Sequence, residues 1–206
     1  MILTFHHGWG FDYTLWDRLV PLLPDHHCHA DDRGYFGPSR MAPAGTIAVT
    51  HSFGTMRLLA DPPPGLAAIV AINGFDCFAA RPGFPGIPPR VLARMQARFA
   101  QEPAAVLADF RARCGADAAP PIADRAALAA DLAALAGKDA RQPLGIPLLS
   151  LQAQDDPLLP PEMRGAVFAS TPAADRFTAP FGGHLLPLTD PARCATAIRA
   201  MAERLG

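Results

Sequence analysis

At 206 residues, half of them hydrophobic and 18% charged, the chain is long enough for one domain with a full core and is globular rather than disordered. A net charge of −1 provides no global attraction to nucleic acid or to an anionic membrane, so functions that rest on a basic surface are not expected. No apolar stretch approaches the roughly 20 residues of a membrane span.

The N-terminal Met1-Ile2-Leu3-Thr4-Phe5-His6-His7 lacks the basic segment and long apolar run of a secretory signal. The four cysteines (Cys28, Cys77, Cys114, Cys194) form no C-x-x-C pair and read as reduced thiols of a cytosolic protein.

Residues 1–5 are apolar and partly β-branched and predict a buried strand. After His6-His7-Gly8-Trp9-Gly10, the residues Leu15, Trp16, Leu19, Val20 and Leu23 recur at helical spacing until Pro24. His26-His27-Cys28-His29 then leads into Asp31-Asp32-Arg33-Gly34. These side chains have the chemistry of zinc ligands, but neighbours along a strand point to opposite sides and do not converge on one ion. A strand running into a turn is the better reading, and no metal is expected.

Only about ten residues separate that turn from the next β-branched run, Ile47-Ala48-Val49-Thr50, too few for a crossover helix. A helix-compatible stretch, 55–60, is followed by a buried strand, 67–72, ending in Asn73-Gly74-Phe75. Strand, turn, helix and strand in this order predict an open, mostly parallel α/β sheet with right-handed crossovers. Residues 76–144 carry no strand pattern and predict helices over 88–99, 103–114 and 124–136. The last has Leu128, Leu132 and Leu135 on one face and Gly137 as its stop. They read as a helical insertion within a core made of 1–75 and 145–206. The sheet resumes at 146–154, broken by Asp155-Asp156-Pro157, and at 176–179, before Gly182-Gly183-His184. A final helix has Asp190 as its cap, Pro191 in its first turn, and Ile198, Met201 and Leu205 facing inward.

The chemistry gathers around Thr50-His51-Ser52-Phe53-Gly54. This has the layout of a nucleophile elbow, G-x-S-x-G, in which a tight strand-to-helix turn holds a serine hydroxyl in the open. Gly54 fills the second small position, while Thr50 stands where the first glycine belongs. Ser52, Asp156 and His184 fall at the ends of three predicted strands, where reactive groups of open α/β sheets collect. Serine is a weak nucleophile until a histidine takes its proton, and the acid must fix the imidazole tautomer. Asp156 is preferred to Asp155 because Asp156-Pro157-Leu158-Leu159-Pro160 has an Asp-x-x-x-Pro context.

A tetrahedral intermediate also needs two N–H donors. Phe53 would give one and Trp9, in the glycine-flanked loop after the first strand, the other. Trp9, Phe53, Phe75 and Phe181 are candidates for an apolar substrate channel, although plain core residues would look the same.

With these residues in view, the chain resembles the α/β hydrolases. Among them it is similar to the pimeloyl-[acyl-carrier protein] methyl ester esterases of biotin synthesis, in particular a small variant form. The similarity is carried by His7-Gly8-Trp9-Gly10 with Trp16, then Ala71-Ile72-Asn73-Gly74, Gly86-Ile87-Pro88-Pro89-Arg90-Val91, and Phe110-Arg111-Ala112-Arg113-Cys114-Gly115. It departs at Thr50 and weakens over 116–145. The resemblance implies a minimal hydrolase core with a helical lid over 76–144. It also implies a cytoplasmic serine carboxylesterase, without a cofactor, acting on the methyl ester of pimeloyl-acyl carrier protein.

Charge supports a carrier partner. Residues 81–113 hold six arginines against two acids, Glu102 and Asp109, and Arg90, Arg94 and Arg98 fall on one helical stripe. Acyl carrier proteins are acidic, so Arg90, Arg94, Arg98 and Arg111 are candidate docking residues. A solvated helix face would show the same pattern. A general short-chain carboxylesterase and a non-catalytic binding protein on a hydrolase scaffold remain alternatives.

Overall fold

Runs of Val, Ile, Leu and Ala with no polar alternation suit a parallel sheet covered on both faces, and they form its centre here. The computed structural model describes residues 1–206. Six strands, β1 (Ile2–His6), β2 (His27–Ala30), β3 (Ile47–His51), β4 (Ala68–Ile72), β5 (Leu148–Ala153) and β6 (Asp175–Ala179), make one sheet in the order β2-β1-β3-β4-β5-β6. Every neighbouring pair is parallel. All residues of β3, β4 and β5 are buried, whereas the edge strands β2 and β6 are largely open.

Seven α-helices accompany the sheet: α1 (Phe53–Ala60), α2 (Pro89–Gln101), α3 (Pro103–Cys114), α4 (Arg125–Gly137), α5 (Pro161–Ala166), α6 (Leu186–Thr189) and α7 (Pro191–Arg204). Asp190 caps α7 by accepting from the Arg193 N–H at 3.1 Å, and Asp124 caps α4 by accepting from Ala127 at 2.8 Å. No helix is long and apolar enough to cross a membrane.

The helix expected over the first loop is absent. Two short 3-10 turns, Tyr13–Trp16 and Val20–Leu22, stand in its place. Pro21 lacks an N–H and its ring would clash with the carbonyl four residues back, which breaks a continuous helix. Leu15, Trp16, Leu19 and Leu23 are nevertheless all buried. Between β2 and β3 there is no helix, only the antiparallel bridge Asp32–Arg40. His27 and His29 lie exposed on the edge strand, no cluster of metal-ligating side chains forms, and all four cysteines are free.

Helices α2, α3 and α4 sit between β4 and β5 and share the main apolar core through Phe99, Leu107, Leu128 and Leu132. Asp131 on α4 anchors this stretch to the loop after β2. Its carboxylate accepts two N–H bonds from Arg33, at 2.8 and 2.9 Å, and the Tyr35 hydroxyl at 2.6 Å. A buried carboxylate is tolerated only when paired and hydrogen-bonded in this way. The Ala123 N–H adds a bond to the Tyr35 carbonyl at 2.8 Å.

Candidate active site

Ser52 sits between β3 and α1 with φ 53 and ψ −126. Only two other non-glycine residues, Asn73 and Phe168, have positive φ. Such a conformation costs on the order of 1–3 kcal/mol and persists only where surroundings over-determine it. Here the Ser52 N–H is tied to the Ile72 carbonyl at 3.2 Å.

Gly54 is obligatory, since a Cβ there would run into the His6 carbonyl and lie 2.7 Å from the His7 carbonyl. Thr50, at the motif's other small position, is fully buried, and its hydroxyl pairs with the Thr55 hydroxyl at 2.7 Å. Room for that pair comes from Gly74, where any Cβ would collide with Thr55 Oγ1.

The loop after β6 delivers His184, which is fully buried with Asp156. His184 Nδ1 donates to Asp156 Oδ2 at 2.7 Å. An ionised carboxylate can only accept, so the proton belongs on Nδ1 and the lone pair on Nε2. That Nε2 atom is buried with no hydrogen-bond partner. Burial would push the Asp156 carboxyl up, but the His184 charge and hydrogen bond, with the N–H groups of Leu158 and Leu159, outweigh it and hold it below the usual range. Asp155 does a different job. It accepts from the Gly182 and Gly183 N–H groups at 3.3 and 2.8 Å and so shapes the turn before His184.

Two residues that sequence reasoning did not select stand against this pair. His51 Nε2 donates to the His184 carbonyl at 2.9 Å, and the two rings lie 4.8 Å apart. Burial and then the neighbouring His184 charge hold the His51 ring neutral, with its pKa down at about 3. Asn73, at the end of β4, donates to the carbonyls of Gly183 and His184, both at 2.9 Å. A polar residue where a buried strand meets a glycine was the only signal available.

In front of Ser52 lies a cavity of about 300 Å³ lined by 17 residues, 12 of them hydrophobic, which suits an acyl chain rather than a sugar or nucleotide. Ser52, Trp9 and Phe75 line it together with Met95 and Leu132 of the insertion. Arg94, Arg98 and Arg113 line it as well, and being exposed they mark its mouth. The Trp9 main-chain N–H has no acceptor within the chain, and Phe53 is the first residue of α1, whose N–H has no intrahelical partner. Gly8 passes so close that an added Cβ would be 2.9 Å from Ser52 Cβ.

Three expectations need correcting. The Phe53 side chain is part of the buried core and does not line the cavity. Phe181 is 76% exposed and lies outside the cavity. Arg111 is turned inward: it donates to the carbonyls of Gly10 and Asp117, both at 2.9 Å, and lies over the Phe11 ring, so it braces the Trp9 loop instead of facing a partner. Arg98 is half-engaged, paired with Asp109 at 2.5 Å and Glu102 at 3.4 Å. Arg90 and Arg94 are exposed and enter no ion pair.

No family profile matches the chain. Curated relatives are distant. The pimeloyl-[acyl-carrier protein] methyl ester esterase of Klebsiella pneumoniae is 28% identical over 120 aligned positions, about half of either chain (48% of this one, 47% of that). The enzyme of the same name from Citrobacter koseri is 23% identical across 98% of this chain and 94% of its own. Among solved structures, an esterase from Exiguobacterium antarcticum superposes with a TM-score of 0.81 at 15% identity, covering 98% of this chain and 92% of that one. A thermophilic esterase from Thermogutta terrifontis gives 0.76 at 20%, covering 99% and 90%. The fold is that of the α/β hydrolases.

Proposed function

We propose that this α/β-hydrolase chain is a cytoplasmic serine carboxylesterase that removes the methyl group from pimeloyl-acyl carrier protein methyl ester, giving the free ω-carboxylate and methanol. The observations that carry the reading are the buried Asp156–His184 pair with a free Nε2, together with a strained serine that opens into an apolar cavity. The distant relatives named for this reaction supply the substrate.

Ser52 Oγ attacks the ester carbonyl as its proton passes to His184 Nε2. Asp156 stabilises the imidazolium that forms. The N–H groups of Phe53 and Trp9 stabilise the oxyanion, a contribution of about 10²–10³ in rate for one such donor. Methanol leaves with the proton from His184. Water, deprotonated by the same nitrogen, then releases the acyl group from Ser52. The apolar walls take the methylene chain, and Arg94 at the mouth faces the acidic carrier that stays outside.

Engagement of Arg98 and Arg111 within the chain favours one competing reading, a small-ester carboxylesterase without a carrier partner. The test is growth of a biotin-requiring strain that lacks its own pimeloyl methyl esterase, with wild type and Ser52→Ala side by side. Rescue by wild type alone is expected. Failure of well-folded wild type removes the biotin assignment, and a screen of small esters then decides between a general esterase and a scaffold without activity.

A further inference from the structure

We propose that Asn73 is the positioning residue of this site: one buried side chain that fixes the ends of β4 and β5 and the His184 loop relative to one another. The proposal rests on the reading of Ser52, Asp156 and His184 as a hydrolytic triad.

Asn73 has no solvent exposure and spends its hydrogen-bonding capacity on backbone from two other segments. Its Oδ1 accepts from the Ala153 N–H at 2.7 Å, three residues before Asp156. Its Nδ2 donates to the Gly183 and His184 carbonyls at 2.9 Å each. The amide orientation is forced, because an N–H must meet an acceptor and both carbonyls must meet a donor. Asn73's own N–H is bound to the Leu151 carbonyl at 2.8 Å, and the preceding Ile72 carbonyl accepts from Ser52 N–H at 3.2 Å. Backbone leading to the serine, the acid and the histidine is thus tied at one point.

Geometry limits what can replace it. Asn73 has φ 45, a region that glycine, asparagine and aspartate enter most readily. Aspartate would keep the acceptor for Ala153 but set a carboxylate oxygen against two carbonyls. A longer amide would not place the same atoms against the Ala153 N–H and the two carbonyls.

The role acts on the reaction through His184. That carbonyl receives Asn73 Nδ2 and His51 Nε2 together, filling both its lone pairs. Without Asn73, the Gly182-Gly183 approach, where both glycines have positive φ, keeps the bonds to Asp155, from His51 and from the Thr189 hydroxyl to the Gly182 carbonyl at 2.7 Å, but none that ties it to β4 and β5. The histidine loop and the end of β5 that leads to Asp156 are then no longer held by one shared side chain, and the imidazole can shift relative to Ser52.

The experiment compares wild type with Asn73→Gly, Asn73→Asp and Gln152→Ala. Asn73→Gly accepts the backbone conformation and removes the side chain. Gln152→Ala is the structural control: Gln152 donates to the adjacent Gly74 carbonyl at 2.8 Å but not to the histidine loop. Each protein is assayed for kcat and KM on p-nitrophenyl butyrate, for the rate of Ser52 labelling by a fluorophosphonate, and for Tm.

Expected is a fall in kcat of about 10- to 100-fold for both Asn73 variants, the scale of a misplaced catalytic group. KM should stay within about twofold, and labelling should slow by the same factor as kcat. Gln152→Ala should lose Tm comparably and keep kcat. Wild-type kcat and labelling in Asn73→Gly overturn the positioning role alone. A loss in Asn73→Gly matched by Gln152→Ala at equal folded fraction overturns it as well. If Asn73→Gly does not fold, the same criteria apply to Asn73→Asp. A folded wild type that neither turns over nor labels overturns the triad reading and the proposal with it.

Discussion

The indole Nε1–H of Trp9 donates to the backbone carbonyl of Leu128 at 2.8 Å, so the loop beside Ser52 is tied by a side chain to α4 of the insertion. The same ring packs edge-on against Phe110 of α3 at 4.8 Å and Phe99 of α2 at 6.0 Å. One residue therefore touches all three helices between β4 and β5. Trp9→Phe keeps an aromatic wall and deletes the indole donor. We expect a stability loss of about 1 kcal/mol in denaturant unfolding, the net value of one hydrogen bond. We also expect a fall of about tenfold in kcat as the loop beside Ser52 loses its tether. Unchanged kcat would mean that the main chain alone sets that loop.

The turn at Ser52 makes unequal demands on its two small positions. Gly54→Ala drives a Cβ into the backbone of β1, and a backbone clash cannot be relieved by a rotamer change. We expect this variant to lose more than about 4 kcal/mol or to be insoluble. Thr50→Gly restores the motif glycine yet removes the Thr50–Thr55 hydrogen bond and puts glycine inside a buried strand. We expect it to be less stable by about 1–3 kcal/mol with no gain in esterase activity. Urea unfolding of both variants, with ester hydrolysis, checks the pair.

Acid should weaken the fold in two stages. His51 is buried and uncharged, its pKa lowered from 6.5 to about 3. The unfolded chain therefore binds the extra proton in that interval, and the stability is full above pH 6.5 and lost as pH falls toward 3. Burial lowers His7 in the same direction. Asp31 is lowered from 3.8 to about 2: burial works against this, but the His6 hydrogen bond and the Arg57 charge prevail. Its contribution is complete above pH 3.8 and disappears as pH falls through about 2. Unfolding free energy measured from pH 8 to pH 2 should decline across both windows. His51→Gln should flatten the upper one in part, leaving the His7 share, and Asp31→Asn should flatten the lower one in part, leaving the Asp156 share.

If an acidic carrier docks at the cavity mouth, Arg90 and Arg94 are the cations free to meet it. The double reversal Arg90→Glu with Arg94→Glu should reduce kcat/KM on pimeloyl-acyl carrier protein methyl ester by at least about tenfold, more at low salt. Hydrolysis of a small ester should stay unchanged. Equal effects on both substrates would argue for an esterase without a carrier.

The central strands and the α3 boundaries were legible because each rests on local rules: continuous burial and a proline at a first turn. The first loop was misread because its apolar spacing outweighed Pro21, whose effect on the backbone decided the outcome. Helices α5 and α6 span six and four residues, too few to show a period. Arg111 and Phe181 were misplaced for another reason. A long or aromatic side chain on a surface segment can turn either way, and only packing against Phe11 and Gly10, or its lack, settles which. Asn73 and His51 act on backbone carbonyls far along the chain, so local pattern marks where they stand at strand ends but not what they bind.

The Thr50, Thr55 and Gly74 arrangement also constrains how this chain can drift. With threonine at 55 in place, any side chain at 74 is blocked; with threonine at 50 in place, losing the hydroxyl at 55 leaves the buried Thr50 hydroxyl only the long contact to the Val70 carbonyl at 3.5 Å. The three positions form an interlocked set in which single steps toward the two-glycine motif are each unfavourable, so exchange between the two versions requires paired changes. Lineages carrying the threonine version should keep all three residues together, and a search for the two-glycine motif would pass over them.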